Sequence, residues 1–421
     1  MNYRLNIFGF ALSEPLRINK SLNVGLKDQR LALEWVQKNI DFFGGDPGHV
    51  TIFGQSSGAL SVTLQILAYG GSKPLPFHAG IIESTALEAG STSNVTIDTF
   101  NAVAKLAGCD VDNNPQSDAS LECLRSLPFE ELLNITITQH DSTADSNDGD
   151  TYLPAVDDDF LPLASSELTV KGMFPKVPVI IGWTAQDATF FTHFDIATPS
   201  DTRDFIHLFF PDLTNTTLST LLSLYPSSDF APDPAANLTT EFYRSAQIFR
   251  DILFTCPSFL FGHAMAKKYW ADDDSEVPSV YYYEQNQIVS MSGVIPPGLG
   301  VVHTAELAYV FGNFSAWNST GGIHPTPDDF ELQRRQSRSW SGFASRGEPT
   351  LDDHETLEGW TPAYGGAGDG QFDANLYVVG GQDAGISRLD GNGAKSHVSS
   401  QQLRERCEFL NREDVIAELK Y

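Results

Sequence analysis

Phe43-Gly44-Gly45-Asp46-Pro47-Gly48-His49-Val50-Thr51-Ile52-Phe53-Gly54-Gln55-Ser56-Ser57-Gly58 reads as an approach loop, a strand, a sharp turn and the start of a helix. Val50 to Phe53 is a short run of β-favouring apolar residues, Gly54 to Gly58 fits Gly-x-Ser-x-Gly, and Ala59 to Tyr69 is an apolar segment of helical length. A chain that passes from strand to helix so abruptly crowds the positions two residues either side of the turn's centre. Glycine is therefore expected to be required at both Gly54 and Gly58. The Ser56 hydroxyl is then lifted clear of the sheet, where a nucleophile can be reached.

The residues around this turn narrow the reading. Phe43-Gly44-Gly45-Asp46-Pro47 before the strand and Ala59-Leu60-Ser61-Val62 after the elbow resemble the signature of the type-B carboxylesterase/lipase family, which includes the cholinesterases. Upstream, Asn2 to Phe10 resembles the family's strand before its long loop, and Asn23 to Ile40 is similar to its Asp-Gln-Arg-Leu-Ala-Leu-Glu-Trp-Val helix. Within the family the likeness is to the secreted fungal branch. It implies an α/β-hydrolase fold: a mostly parallel central sheet flanked by helices.

Length and composition agree with such a fold. Folds of the α/β class carry 421 residues as one body with insertions, so a single domain over residues 1–421 is expected. Hydrophobic residues at 41% and aromatic residues at 11% supply an ample core. No run of about 18 apolar residues is present to cross a bilayer. A formal charge of −28 and an isoelectric point near 4.5 oppose nucleic-acid phosphates and anionic membrane surfaces through long-range repulsion.

Strands alternate with helical segments along the chain. Tyr3 to Phe8 reads as a strand, and Lys27 to Ile40 as a helix with Leu31, Trp35, Val36 and Ile40 on one face. Ala79 to Glu83, Val177 to Gly182, Val280 to Glu284 and Ala374 to Val379 read as further strands. Between them, Phe100 to Leu106, Leu121 to Ser126, Glu130 to Asn134 and Asp328 to Arg346 read as helices, and Asp141 to Asp150 as a solvated acidic loop. From Asp201 to Trp270 helical patterns dominate, and the resemblance implies that some of these helices cover the pocket. Alternation of this kind argues for a mostly parallel sheet.

A serine hydroxyl is a weak nucleophile near neutral pH. It needs a base to take its proton and an acid to orient that base. In an α/β-hydrolase the chain order is serine, acid, histidine. Asp187 lies five residues beyond Gly182 in a segment, Trp183 to Phe191, that resembles the family's acid-bearing loop. The family usually has Glu there, and Asp is shorter by one methylene. Gly300-Val301-Val302-His303-Thr304-Ala305-Glu306-Leu307 with Val310-Phe311-Gly312 resembles the family's histidine segment and implies His303 as general base. The resulting expectation is a carboxylic ester hydrolase that forms an acyl-enzyme through Ser56, His303 and Asp187, with no cofactor and with a small-molecule or lipid ester as substrate. Its rival is a catalytically silent adhesion or interaction protein of the same fold, against which three usable triad residues argue.

The cysteines are Cys109, Cys123, Cys256 and Cys407. None has a Cys-x-x-Cys or Cys/His spacing that would put two metal ligands on one turn, so no metal site is expected. The resemblance implies the pairs Cys109–Cys123 and Cys256–Cys407. Asn94, Asn134, Asn215, Asn237, Asn313 and Asn318 each open an Asn-x-Ser/Thr sequon without proline. Six sequons, an even cysteine count and an acidic surface point to the secretory pathway.

Three departures stand out. The residue before the nucleophile is usually Glu in the family and is Gln55 here. Met1-Asn2-Tyr3-Arg4-Leu5 has neither the basic nor the apolar region of a signal peptide, which is expected upstream. The family's His-Gly-Gly-Gly-type oxyanion loop also lies upstream of the tyrosine strand, which leaves the Ser57 backbone N–H as the oxyanion donor within these residues. The expectation is thus an N-terminally truncated α/β-hydrolase, lacking early strands and the oxyanion loop, that folds poorly and is at most feebly active.

Overall fold

The computed structural model describes residues 1–143, 150–273, 277–291, 295–318 and 321–421. Its frame is a six-stranded sheet. The strands are β1 (Thr51–Gln55), β2 (Ala79–Glu83), β3 (Val179–Thr184), β4 (Val280–Gln285), β7 (Asn375–Val379) and β8 (Gly385–Arg388), hydrogen-bonded in that order. The first five run parallel and β8 closes the sheet antiparallel to β7. A separate antiparallel ribbon pairs β5 (Ser290–Met291) with β6 (Ile323–His324).

The sheet is covered on both faces, and the alternation of its side chains shows how. Val179, Ile181 and Trp183 of β3, Val280 and Tyr282 of β4, and Leu376 and Val378 of β7 enter the larger core. Ile180, Tyr281, Tyr283, Tyr377 and Val379 point the other way, into a second core with Trp340, Phe343 and Trp360. Continuous apolar runs such as Val179-Ile180-Ile181 are what a parallel strand buried on both faces requires. β2 and β3 are buried along their whole length, whereas β1, which among the described residues pairs only with β2, is half-buried.

The second core is anchored by the helix Pro327–Arg346. Thr326 and Asp329 form a capping box at its start, with proline at the first position, and Gly347 at φ 78° ends it. This helix brings Trp340 under the C-terminal end of β2, where its indole N–H donates to Glu83.

Two local readings are corrected. Tyr3 to Phe8 is not a strand: a short helix spans Asn6–Phe10. Asn6 adopts φ 58° and its side chain accepts from the Ile7 N–H, which starts a turn that β-favouring neighbours alone would not indicate. Arg4 pairs with Asp28 through both side-chain oxygens and ties this segment to the helix Val24–Asn39. That helix buries Gly25, Leu26 and Arg30, not the face of Leu31 and Trp35, which are 65% and 51% exposed. Its inner side meets the helix Ser57–Leu67, through Gln65 donating to Leu26 O and Gln29 to Ser61, so positions 31 and 35 turn outward. Of the acidic stretch read as a loop, Asp141 ends the helix Phe129–Asp141, and residues 144–149 lie outside the described residues.

Candidate active site

β1 ends at Gln55 and the helix Ser57–Leu67 begins two residues later, so Ser56 alone makes the turn. It does so at φ 59° and ψ −125°, a conformation that only glycine adopts without strain. Ser56 N–H donates to Glu83 O at 2.8 Å, and Leu60 N–H returns to Ser56 O at 3.0 Å. The two flanking glycines differ in what they permit. A Cβ on Gly54 would lie 2.4 Å from the Gly58 backbone, whereas one on Gly58 meets nothing within 4 Å. The close approach therefore constrains Gly54 alone. Ser57 opens the helix, and its N–H is among the first four that helix geometry leaves without a partner.

Asp187 and His303 are 116 positions apart, and two loops that pair with each other bring them together. Gln186 N–H donates to Val301 O at 3.1 Å, the Gln186 side chain accepts from Val301 N–H at 2.8 Å, and Thr189 donates to Leu299 O at 2.8 Å. Gly300, at φ 71°, lies so close to Gln186 that a Cβ there would fall 2.5 Å from its side-chain oxygen. Held this way, the shorter Asp side chain reaches His303: Asp187 Oδ1 is 2.5 Å from His303 Nδ1. Its other oxygen accepts from Thr184 N–H at 2.9 Å. Phe191 and Phe254 flank the imidazole, each ring 5.1 Å from it.

Burial works against a charged imidazole, but the charge and hydrogen bond of Asp187, with Glu306 behind, outweigh it and hold His303 above its ordinary value. Behind the pair lie two further buried carboxyls. Glu306 is three residues after His303, and no other described residue hydrogen-bonds to its carboxyl; the Glu83 carboxyl accepts from Trp340 with one oxygen only. Burial and mutual repulsion push Glu306 well above the usual carboxyl range, and burial raises Glu83. Glu306 stands in the quoted histidine segment, yet nothing in the sequence signals that it would face a second carboxyl from residue 83.

The serine is set apart from the other two. The hydrogen-bond partner of His303 Nε2 is the side-chain amide nitrogen of Gln55 at 3.1 Å, and the Ser56 hydroxyl makes no hydrogen bond with the imidazole. Ser56 opens onto a cavity of about 350 Å³ whose apolar wall is Phe191, Phe209, Phe210, Phe249, Leu253 and Phe254. Phe191 comes from the turn Thr189–Phe191 in the acid-bearing segment; the others come from, or directly follow, the helix Pro199–Phe209, the helix Thr240–Arg250 and the π-turn Asp251–Thr255. His303 borders a second cavity of about 400 Å³ with Phe190, Val289, Ile295 and Val302, and Phe191 lines both.

A family model described as the carboxylesterase family matches residues 1–373. The chain belongs to the carboxylesterase family. It is 43% identical over 423 residues to a secreted lipase of Arthroderma benhamiae, covering all of this chain and 72% of the relative. It is 32% identical over 427 residues to the inactive carboxylesterase-like protein VdtD of Byssochlamys spectabilis, covering 98% of this chain and 70% of that one. Among solved structures, Aspergillus niger EstA superposes with a TM-score of 0.75 at 25% identity, over all of this chain and 74% of the other. The sheet and its helices are thus an α/β-hydrolase fold, and this carboxylesterase family member has the frame of a serine ester hydrolase.

Two disulfides, Cys109–Cys123 and Cys256–Cys407, join the four cysteines. Among the described residues no group of three or more His, Cys, Asp or Glu side chains could hold a metal, and no helix is long and apolar enough to cross a membrane.

Proposed function

We propose that this chain is one domain that hydrolyses carboxylic esters through an acyl-enzyme on Ser56. The Ser56 oxygen attacks the ester carbonyl carbon while His303 Nε2 takes the hydroxyl proton, and the oxyanion is met by the Ser57 N–H. His303 then returns the proton to the alkoxide, which leaves as the alcohol. Water attacks the acyl-enzyme by the same route and releases the acid. Asp187 holds Nδ1–H, fixes the tautomer and stabilises the imidazolium.

The observations that carry this reading are the 2.5 Å Asp187–His303 pair and a serine held at φ 59° on a strand-to-helix elbow. Either feature alone occurs for other reasons; both at the C-terminal ends of parallel strands, in a carboxylesterase family member, favour catalysis. The test is active-site labelling with a fluorophosphonate followed by p-nitrophenyl ester hydrolysis. Stoichiometric label on Ser56 and turnover abolished by Ser56→Ala are expected; label elsewhere, or turnover kept in the alanine variant, removes Ser56.

A second reading, a silent homologue, is favoured by one contact: the Gln55 amide stands where the serine hydroxyl must deliver its proton. A relative named inactive shows that such members exist. Absence of both label and turnover decides for it.

We also infer that the protein is secreted and glycosylated. Of the six sequon asparagines, Asn94, Asn134, Asn215, Asn237 and Asn313 are exposed, and Asn318 is half-buried. A mass shift on glycosidase treatment of secreted protein tests this.

A further inference from the structure

The wall of the cavity beside Ser56 carries two acidic residues that the ester chemistry does not use, Glu88 and Asp150. Glu88 lies five residues beyond the end of β2, after Ser84 at φ 59° and Thr85 at φ 137°. Thr85 is fixed by donating to Leu253 O at 2.8 Å, and Gly90 N–H and Thr92 N–H donate to Leu419 O and Lys420 O. Pinned at both ends, this turn sets Glu88 into the wall of the same cavity as Ser56, where burial and the charge of Asp150 act on its carboxyl.

We propose that Glu88 determines specificity: its carboxyl donates a hydrogen bond to an uncharged oxygen on the acyl group, so the enzyme prefers esters of compact, oxygen-bearing acids. The inference rests on the proposed acyl-enzyme at Ser56 and names the acid side of its substrate. Compactness follows from a volume of about 350 Å³, at the small end for ligand pockets. The phenylalanine wall suits an aromatic or branched acyl body. A polar group facing such a wall costs free energy unless the ligand pairs with it.

The protonation state fits donation. Burial, and then the negative charge of Asp150, push the Glu88 carboxyl up to about 8. Below that pH it carries a proton and donates; above it, it can only accept. Of the other ionisable groups, Tyr3, His140 and Tyr152 line the same cavity, and Tyr421 from the C-terminal segment lies close enough to feel the Glu88 charge.

The test is a matched pair of p-nitrophenyl esters, 4-methoxyphenylacetate and 4-ethylphenylacetate, which differ by an ether oxygen in place of a methylene. On the full chain the kcat/KM ratio should favour the methoxy ester by about 3- to 10-fold at pH 7, the worth of one net hydrogen bond. It should fall towards 1 as pH rises past 8. Glu88→Gln, a donor that does not titrate, should keep the preference and lose its pH dependence. Glu88→Leu should bring the ratio to 1 or below. A ratio near 1 in the wild type at every pH, or one unchanged in the leucine variant, overturns the proposal while leaving Ser56 chemistry intact. No hydrolysis of either ester, with no label on Ser56, removes both.

Discussion

Gln55 Nε2 lies 3.1 Å from His303 Nε2, at the imidazole atom that the proposed mechanism requires to take the serine proton. Its neighbour Ser56 holds the elbow, so a single residue step along β1 separates the group that needs this nitrogen from the group that has it. Where the family usually carries a carboxylate, this chain has a neutral amide, which can occupy the lone pair without adding charge.

Removing that amide should therefore help. Gln55→Ala is expected to raise kcat/KM for a short p-nitrophenyl ester by about 3- to 10-fold, the value of one displaced hydrogen bond. Gln55→Glu puts a negative charge within hydrogen-bond reach of the imidazole and should move the acid limb of the kcat/KM profile upward by about one pH unit. Rates and limbs identical to wild type in both variants would show that the contact has no catalytic weight.

The pH profile of the wild type has a definite sign. His303 is held above its ordinary value, chiefly by Asp187 once burial is overcome. The imidazolium cannot accept a proton, so activity should rise through a midpoint above about 6.5. Asp187→Asn should cost about 10⁴-fold in kcat by loss of the correct tautomer. A midpoint at or below 6.5 with chemistry rate-limiting would contradict the geometry.

The elbow stores backbone strain that a substitution can release. Ser56→Gly relieves φ 59°, ψ −125° and should raise unfolding stability by about 1 kcal/mol while abolishing turnover. Chemical denaturation of the two proteins reads the first effect and ester hydrolysis the second. A glycine variant less stable than wild type would mean that the turn is unstrained.

The neighbouring glycines should part company. Gly54→Ala sets a methyl carbon 2.4 Å from the Gly58 backbone, and Gly58→Ala meets open space. Loss of soluble protein or of several kcal/mol is expected for the first, and near wild-type unfolding for the second. Equal behaviour of the two would refute the asymmetry.

The long disulfide should matter more than the short one. Cys256–Cys407 closes a separation of 151 residues and Cys109–Cys123 one of 14. In the chain-entropy model these are worth about 4–5 and about 3 kcal/mol. Cys→Ser pairs at each bridge, compared by denaturant midpoint, should rank in that order.

Much of the site was legible because its determinants are local. A strand, a turn too tight for a side chain at Gly54, and a helix are set by neighbours within a few residues, and so Ser56 could be read directly. The parallel strands follow from period and punctuation in the same way, whereas Asp187 and His303 were singled out by the resemblance of their segments to the family's acid and histidine loops. The segment around Asn6 was misread because one αL residue with its own side-chain bond outweighs the β preference of its neighbours. The outward face of Leu31 and Trp35 was misread because apolar spacing marks a stripe without saying what meets it. The Gln55 amide against His303 joins residues 248 apart, and the Glu83–Glu306 pair joins one strand end to a distant loop. Such contacts depend on how whole layers settle against one another, since a shift of a single ångström makes or breaks a hydrogen bond, and no local pattern encodes that distance. The sequence by itself determined the Ser56 turn, the parallel frame and the chemical types brought to it. Only the tertiary structure decided which of those groups holds the histidine's free nitrogen and which carboxyls are buried behind it.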